Sequence, residues 1–285
     1  KRPATVDEPQ VIGWDAVGEV VAVGAKVQDF AVGDRVFYAG ALDRPGSNAE
    51  YQLVDARIVG HAPESLSDPE AAALPLTAIT AWELLFDRLG VAEGSGAGQT
   101  LLVIGAAGGV GSILVQLARQ LTELTVVGTA AREESAEWAK ELGAHHVIDH
   151  SKPMLAQLQA LGIESVELIA SLTHTKDHYA QYIECIAPQG KLGVIDDFDS
   201  IDITQLKSKS ASFHWEFMFA RSLYQTADMA EQGVLLNRVA ELLDASALRT
   251  TLGEHYGVIN AANLMRAHGL LESGKARGKL VLEGF

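Results

Sequence analysis

The sequence predicts an α/β protein with a doubly wound parallel sheet. Apolar runs and amphipathic segments alternate from residue 101 to about residue 195, at the spacing of βαβ units. The run Leu101–Ile104 is apolar throughout, as expected of a strand buried on both faces. A glycine-dense turn, Gly105–Gly111, follows directly and leads into a helix with one apolar face.

The same patterns place the remaining elements in order. Within the sheet we expect strands at 101–105, 124–129, 145–148, 166–170 and 191–195, and helices beginning near residues 109, 133, 152 and 176. The preceding part, 11–60, is β-rich, with strands expected at 17–24, after the Gly33-Asp34 turn, and at 50–54. After the sheet we expect one amphipathic helix over 222–245 and a strand at 279–282.

Composition and charge exclude several classes of function. The 285 residues carry a formal net charge of −15, which argues against binding to nucleic acid or to anionic membranes. No apolar run is long enough to span a bilayer, and the first residues lack the apolar core of a signal peptide, so the profile is that of a cytoplasmic protein. Cys185 is the one cysteine, which excludes an intrachain disulfide; a small buried apolar residue is favoured over a catalytic thiol.

The glycine turn predicts a dinucleotide site. Gly108 and Gly109 can adopt positive φ and let the backbone approach a pyrophosphate, while Gly111 lets the helix lie close to the strand. The N–H groups of the helix's first turn would face the phosphates. The spacing Ala106-x-Gly108-x-x-Gly111 also occurs in ordinary strand-to-helix turns, which is the alternative interpretation.

The end of the second strand favours NADP(H). An NAD site usually places Asp or Glu there to hold the ribose 2′-hydroxyl. Here Gly128 and Thr129 are followed by two alanines and Arg132, and the first acid is Glu133. A guanidinium can pair with a 2′-phosphate, although Arg132 could also be a solvated residue at the start of the next helix.

Five segments spread over almost the whole chain resemble the medium-chain dehydrogenase/reductase superfamily, and within it the zinc-independent quinone-oxidoreductase-like branch. They are Gly13–Val20, Val32–Val36, Leu76–Trp82, Ala106–Gly111 and Gly274–Lys279. The resemblance implies a Rossmann sheet inserted in a GroES-like β-rich domain: 1–75 as the first part of that catalytic domain, 76–215 as the NADP(H)-binding domain and 216–285 as the remainder. It also implies that about fifty residues of the family's catalytic domain would precede Lys1.

The resemblance further implies which residues hold the cofactor. Thr80 matches a threonine near the nicotinamide ribose, Gly108, Gly109 and Val110 match the pyrophosphate loop, and Arg132 and His150 match contacts to the adenosine phosphate. Ligands sit at the carboxyl ends of strands in an open α/β sheet. We therefore add the strand-end and motif residues Thr129, Ser171, Leu172, Ile195 and Lys279, although ordinary turns would also place such residues there.

A zinc site is not expected. In zinc alcohol dehydrogenases the first of these motifs reads Gly-His-Glu and its histidine binds the catalytic metal, but here the matching position is Trp14, whose indole has no lone pair for a metal. The segment after Val36 lacks the cysteines of a structural zinc lobe. His61, His174, His178 and His214 form no obvious ligand pattern.

The function predicted is NADPH-dependent reduction of a small quinone or α,β-unsaturated carbonyl compound, without zinc and without an assigned proton donor. Trp14, Phe217, Met218 and Phe219 are expected in the substrate pocket, although the aromatic run 213–219 could equally be core or a subunit interface. The resemblance implies a homodimer. Two alternatives stay open: a non-catalytic NADPH-binding sensor or interaction protein, and a zinc-type alcohol dehydrogenase with an unusual metal site.

Overall fold

The computed structural model describes residues 10–285. Residues 1–9, the start of the expected N-terminal domain, lie outside the described part. The described chain divides into two compact units: unit 1 comprises 10–79 and 218–285, and unit 2 comprises 80–217. The boundaries expected from the sequence, at 75/76 and 215/216, differ from these by a few residues.

Unit 2 contains a six-stranded parallel sheet. Its strands are β4 (Thr100–Ile104), β5 (Thr125–Thr129), β6 (His146–Ile148), β7 (Val166–Ser171), β8 (Ile186–Val194) and β9 (Ser212–Trp215). Across the sheet they follow the order β6-β5-β4-β7-β8-β9. The order reverses direction between β4 and β7, which makes the carboxyl edge of these two strands the place where ligands bind in such sheets. The predicted α/β fold class is confirmed.

Four helices connect the strands of this sheet: α3 (Gly109–Leu121), α4 (Glu133–Glu141), α5 (Met154–Ala160) and α6 (Thr175–Cys185). All five residues of β4 are buried, which explains the apolar run Leu101–Ile104. The core of the unit combines β4 and β7 with Tyr179, Tyr182 and Cys185 of α6. Cys185 is fully buried, and burial raises the pKa of its thiol to about 11, so it packs as a small apolar residue.

Unit 1 contains two small sheets and several helices. Strands β1 (Ala16–Glu19), β2 (Arg35–Tyr38) and β3 (Val59–His61) form an antiparallel sheet, and β10 (Leu252–His255) pairs in parallel with β11 (Lys279–Val281). The helices that lie entirely within this unit are α1 (Asp68–Ala72), α7 (Ala220–Tyr224), α8 (Glu231–Asp244) and α9 (Ala261–Glu272). Helix α8 packs on β3, where a Cβ on Gly60 would lie 2.6 Å from the Cβ of Leu236.

The remaining helix, α2 (Pro75–Trp82), is followed by a π-helical segment, Glu83–Arg88. A π-helical turn is uncommon and often marks a functional position. Its first residue, Glu83, is buried with no exposed surface, and Arg88 ends it.

Two expectations about local structure were wrong, and two elements were not predicted. The segment 222–245 is not one helix, because Gln225 adopts a left-handed conformation (φ +45°) and separates α7 from α8. Residues 51–54 form no strand, and Tyr51 and Leu53 are exposed. The aromatic segment at 212–215 is β9, an edge strand that the sequence did not predict, and α9 was also missed.

Within residues 10–285, the structure has no helix with the length and apolarity that crossing a membrane requires.

Candidate functional site

The turn between β4 and α3 has the features that a bound pyrophosphate requires. Gly105 adopts a positive φ of +80°, and Gly108 caps α3 in an extended conformation. We expected positive φ at Gly108 and Gly109 as well, but neither has it. The first N–H groups of a helix have no acceptor within it, and together with the helix dipole they favour an anion at this end.

Gly111 sets how closely α3 approaches the turn. A Cβ at this position would lie 2.3 Å from the carbonyl oxygen of Gly105 and 2.7 Å from two backbone atoms of Ala106. These neighbours are backbone atoms, which a side-chain rotation cannot move aside. Glycine therefore allows the start of α3 to pack directly against the turn.

The ends of β5 and β6 lie beside this turn. The N–H of Gly105 donates to Oγ1 of Thr129 at 3.2 Å, and the N–H of Ala130 donates to the carbonyl oxygen of Ile148 at 3.0 Å. Two residues beyond Ala130, the exposed Arg132 caps α4, and two residues beyond Ile148 lies His150. The structure thus brings Thr129, Arg132 and His150 to one part of the carboxyl edge, next to the glycine turn.

The ends of β7 and β8 contribute a buried hydrogen-bond network. The hydroxyl of Ser171 lies 2.7 Å from Oγ1 of Thr175 and 2.8 Å from the hydroxyl of Tyr182. Asp196 accepts hydrogen bonds from the N–H and the hydroxyl of Thr175. This carboxylate thereby fixes the start of α6.

The backbone links the other two predicted residues of this edge to the same place. The N–H of Leu172 donates to the carbonyl oxygen of Ile104 at 3.4 Å, and the N–H of Ile195 donates to that of Ser171 at 3.3 Å. The methyl group of Thr173 lies 3.1 Å from where a Cβ on Gly105 would be. The loops after β4, β7 and β8 therefore meet at the carboxyl edge.

Two histidines contact each other beside this edge, and no sequence pattern indicated the contact. The ring of His150 lies edge-on to the ring of His178 on α6, with 5.5 Å between centroids. Nδ1 of His150 is buried and has no hydrogen-bond partner. Burial lowers the pKa of both imidazoles, which favours the neutral form of each.

A buried carboxyl pair lies elsewhere in unit 2. Nε of Arg88 donates to Oε2 of Glu216 at 2.8 Å, and a second guanidinium nitrogen lies 4.0 Å from Oε2 of Glu83. Both glutamates are almost fully buried. Burial, and secondarily the negative charge of Glu83, raises the pKa of Glu216 to about 8, so the pair holds a proton at neutral pH.

Four other predicted site residues belong to unit 1. Trp14 and Lys279 line one cleft of about 540 Å³, in which Nζ of Lys279 lies 2.7 Å from Oδ2 of Asp15. Met218 and Phe219 are buried within this unit.

The last two belong to unit 2: Thr80 is buried and Phe217 is half exposed. Among residues 10–285, no three His, Cys, Asp or Glu side chains are grouped so that they could hold a metal ion.

The fold and this edge define a Rossmann-like α/β protein, and comparison with known proteins identifies the family. The profile described as "Zinc-binding dehydrogenase" matches residues 142–282, and the "Alcohol dehydrogenase GroES-like domain" profile matches residues 2–64. A zinc-type alcohol dehydrogenase-like protein of Staphylococcus aureus is 40% identical over 277 residues, 96% of this chain and 82% of its own length. The chain belongs to the medium-chain dehydrogenase/reductase superfamily and is an oxidoreductase of that family.

Solved structures agree with this assignment. A Rhizobium etli protein named for zinc-dependent alcohol dehydrogenases has 56% identity and a TM-score of 0.93, covering 97% of this chain and 81% of its own. A Pseudomonas syringae quinone oxidoreductase has 25% identity and a TM-score of 0.80, covering 96% and 82%. A mycobacterial protein solved with NADPH has 27% identity and a TM-score of 0.80, covering 98% and 84%.

Proposed function

We propose that the protein is an NADPH-dependent reductase of quinones or α,β-unsaturated carbonyl compounds that uses no zinc ion. One observation carries the choice of cofactor: next to the glycine turn, the end of β5 has an arginine and no carboxylate before Glu133. A carboxylate there would repel a 2′-phosphate, whereas a guanidinium can pair with it through two parallel hydrogen bonds. The mycobacterial neighbour solved with NADPH supports the same choice.

The structure fits a dinucleotide. Residues 105–109 of the turn carry no side chain larger than a methyl group. The buried, unpartnered Nδ1 of His150 is a polar atom that a ligand could satisfy. In this proposal the start of α3, with Gly108, Gly109 and Val110, binds the pyrophosphate, and Arg132 and His150 bind the adenosine end.

The nicotinamide end would lie towards β7 and β8. Ser171, Leu172 and Ile195 line the edge there, and we assign Thr80 to the nicotinamide ribose, as the family resemblance implies. The network of Ser171, Thr175 and Asp196 holds the loops in place. These residues would orient the cofactor, so that positioning supplies much of the rate. Lys279 and the pocket residues Trp14, Phe217, Met218 and Phe219 remain predictions.

Bound NADPH supplies a hydride, and the identity of Trp14 restricts the acceptor. In zinc alcohol dehydrogenases a metal ion polarises the carbonyl, and the indole of Trp14 cannot bind one. A quinone or an enone needs less assistance, because its conjugation spreads the developing charge to a distant oxygen. The quinone oxidoreductase among the solved neighbours is consistent with such a substrate.

We also propose a cytoplasmic homodimer. The observation that favours a dimer is the edge strand β9, where Trp215 and the following Phe217 each expose 52% of their surface. Sedimentation velocity would test it, with a monomer as the contradicting result.

Steady-state turnover tests the proposed function. We expect the protein to oxidise NADPH in the presence of 1,4-benzoquinone or a simple enone, and to retain that activity after treatment with a zinc chelator. Tight NADPH binding without oxidation across both substrate classes would instead support a non-catalytic sensor. Loss of activity on chelation, restored by Zn²⁺, would support a zinc enzyme.

A further inference from the structure

His150 and His178 reach each other from separate parts of the sheet. His150 follows β6, at one end of the strand order, while His178 is the fourth residue of α6, which follows β7. Their rings are 5.5 Å apart in an edge-on arrangement, and the ring of His178 lies 6.3 Å from that of Tyr182. Since Tyr182 is tied to the hydroxyl of Ser171, the pair is anchored to the buried network of the carboxyl edge.

Charged groups surround the pair from each neighbouring element. Asp149 precedes His150, but Ser151 and Lys152 occupy its carboxylate and lower its pKa to about 2. On α6, the exposed His174 lies 3.3 Å from the carboxylate of Asp177. Asp196, from the loop after β8, accepts from Thr175.

These groups favour the neutral form of both imidazoles. Burial has the largest effect on the pKa of both imidazoles, and it lowers both values. The negative charge of Asp149 raises the pKa of His150, and the charges of Asp177 and Asp196 raise that of His178, but by less. His174 adds a further repulsive influence on each.

We propose that the His150–His178 pair couples cofactor binding to proton uptake. The pair is neutral in the free protein and gains one proton when the 2′-phosphate of NADPH binds beside Arg132. His178 is thus a specificity-determining residue, and the preference for NADPH over NADH grows as the pH falls. This inference rests on the proposed NADPH site and adds its regulation by pH.

The physical basis is the location of His150. It lies two residues beyond Ile148, whose carbonyl oxygen accepts from Ala130, and Arg132 is two residues beyond Ala130. In dinucleotide folds the adenosine ribose binds at the end of this second strand. An opposite charge within about 4–6 Å shifts a pKa by roughly 1–3 units towards the charged form, so a phosphate near His150 favours a proton on one of the two rings. A second proton is disfavoured, because the two charges would be 5.5 Å apart.

Calorimetric titrations with NADPH and NADH at pH 7, in buffers of different ionisation enthalpy, measure the protons exchanged. We expect a net uptake of roughly half a proton or more per NADPH and almost none per NADH. The cofactor's phosphate cannot mimic this result. Its second pKa is near 6, and pairing with Arg132 lowers it, which releases protons rather than taking them up.

Two histidine variants test which imidazole takes up the proton. His150→Phe should abolish the uptake while NADPH still binds through Arg132. His178→Phe keeps a ring against His150 but cannot share the proton, so uptake should be half complete at a lower pH. His268→Gln, which removes an exposed histidine of α9, is the control and should leave both values unchanged.

The outcomes separate this inference from the proposed function. NADPH that binds preferentially but without proton uptake overturns the inference and leaves the cofactor proposal intact. Unchanged uptake in His150→Phe or an unchanged midpoint in His178→Phe also overturns it. A protein that binds no NADPH overturns both.

Discussion

Gly111→Ala tests whether the close approach of α3 to the glycine turn is essential. The added methyl carbon would lie 2.3 Å from the carbonyl oxygen of Gly105, about 1.1 Å short of ordinary contact. Because two further backbone atoms are 2.7 Å away, the helix must shift rather than a side chain. Overpacking of this kind costs roughly 1–3 kcal/mol, and the backbone nature of the clash places it at the upper end. Thermal denaturation should show a Tm lower by roughly 5–10 °C.

Gly108→Ala is the matched variant at the same turn. A Cβ here would lie 3.4 Å from the carbonyl oxygen of Gly105, which is ordinary contact, and the φ of −74° suits alanine. We expect a stability loss below about 1 kcal/mol. The methyl group would, however, occupy the surface assigned to the pyrophosphate, so NADPH affinity should fall at least about tenfold, equivalent to 1.4 kcal/mol.

Gly269→Ala provides the control for glycine replacement in general. It lies within α9, no atom outside its own helix is within 4 Å of the added Cβ, and alanine should stabilise the helix by about 1 kcal/mol. An unchanged Tm for Gly111→Ala would refute the packing argument. Unchanged NADPH affinity for Gly108→Ala would refute the placement of the pyrophosphate.

Two further predictions concern buried charges. The pKa of Glu216 is raised from 4.5 to about 8, so the folded state binds this proton more tightly than the unfolded chain does. The free energy of unfolding therefore falls as the pH rises from about 5 to 8, by at most about 1.4 kcal/mol per pH unit. Urea titrations from pH 6 to 9 should therefore show a steeper loss for the wild type than for Glu216→Gln, and equal slopes would contradict the protonated pair. Lys279→Met should cost about 1–3 kcal/mol by leaving the partly buried Asp15 carboxylate without its ion pair, with the N–H of Leu76 still donating to it, and adding Asp15→Asn should recover part of that loss in thermal denaturation. A double variant no more stable than the single one would show that the ion pair is not the cause.

Much of the sheet could be predicted from the sequence because its signals are local. Strand β4 is a continuous apolar run, and the glycine turn and the periodicity of α3 follow without interruption. Strand β9 was missed because its four residues are aromatic and polar in a way that also suits a pocket or an interface. The break between α7 and α8 was missed because Gln225, a residue without special preference for positive φ, adopts it there.

Residues of the candidate site could be predicted where their position depends on the end of a single strand. The positions of Gly108, Thr129 and Arg132 follow from the order of strands and turns. The contact of His150 with His178 depends on how α6 packs beside the turn after β6, which no periodicity reports. The burial of Glu83, in contrast, could have been predicted from the sequence. An acidic residue within the apolar run of α2 and its continuation suggests a buried side chain with a partner.

The central claim is that the glycine turn and Arg132 together bind NADPH. The most direct measurement compares the Kd values of NADPH and NADH for the wild type and for Arg132→Ala. We expect the wild type to prefer NADPH, and the variant to lose roughly 10- to 100-fold in NADPH affinity, the value of a charge-assisted hydrogen bond, with NADH affinity unchanged. Equal losses for both cofactors, or no loss for either, would contradict the account.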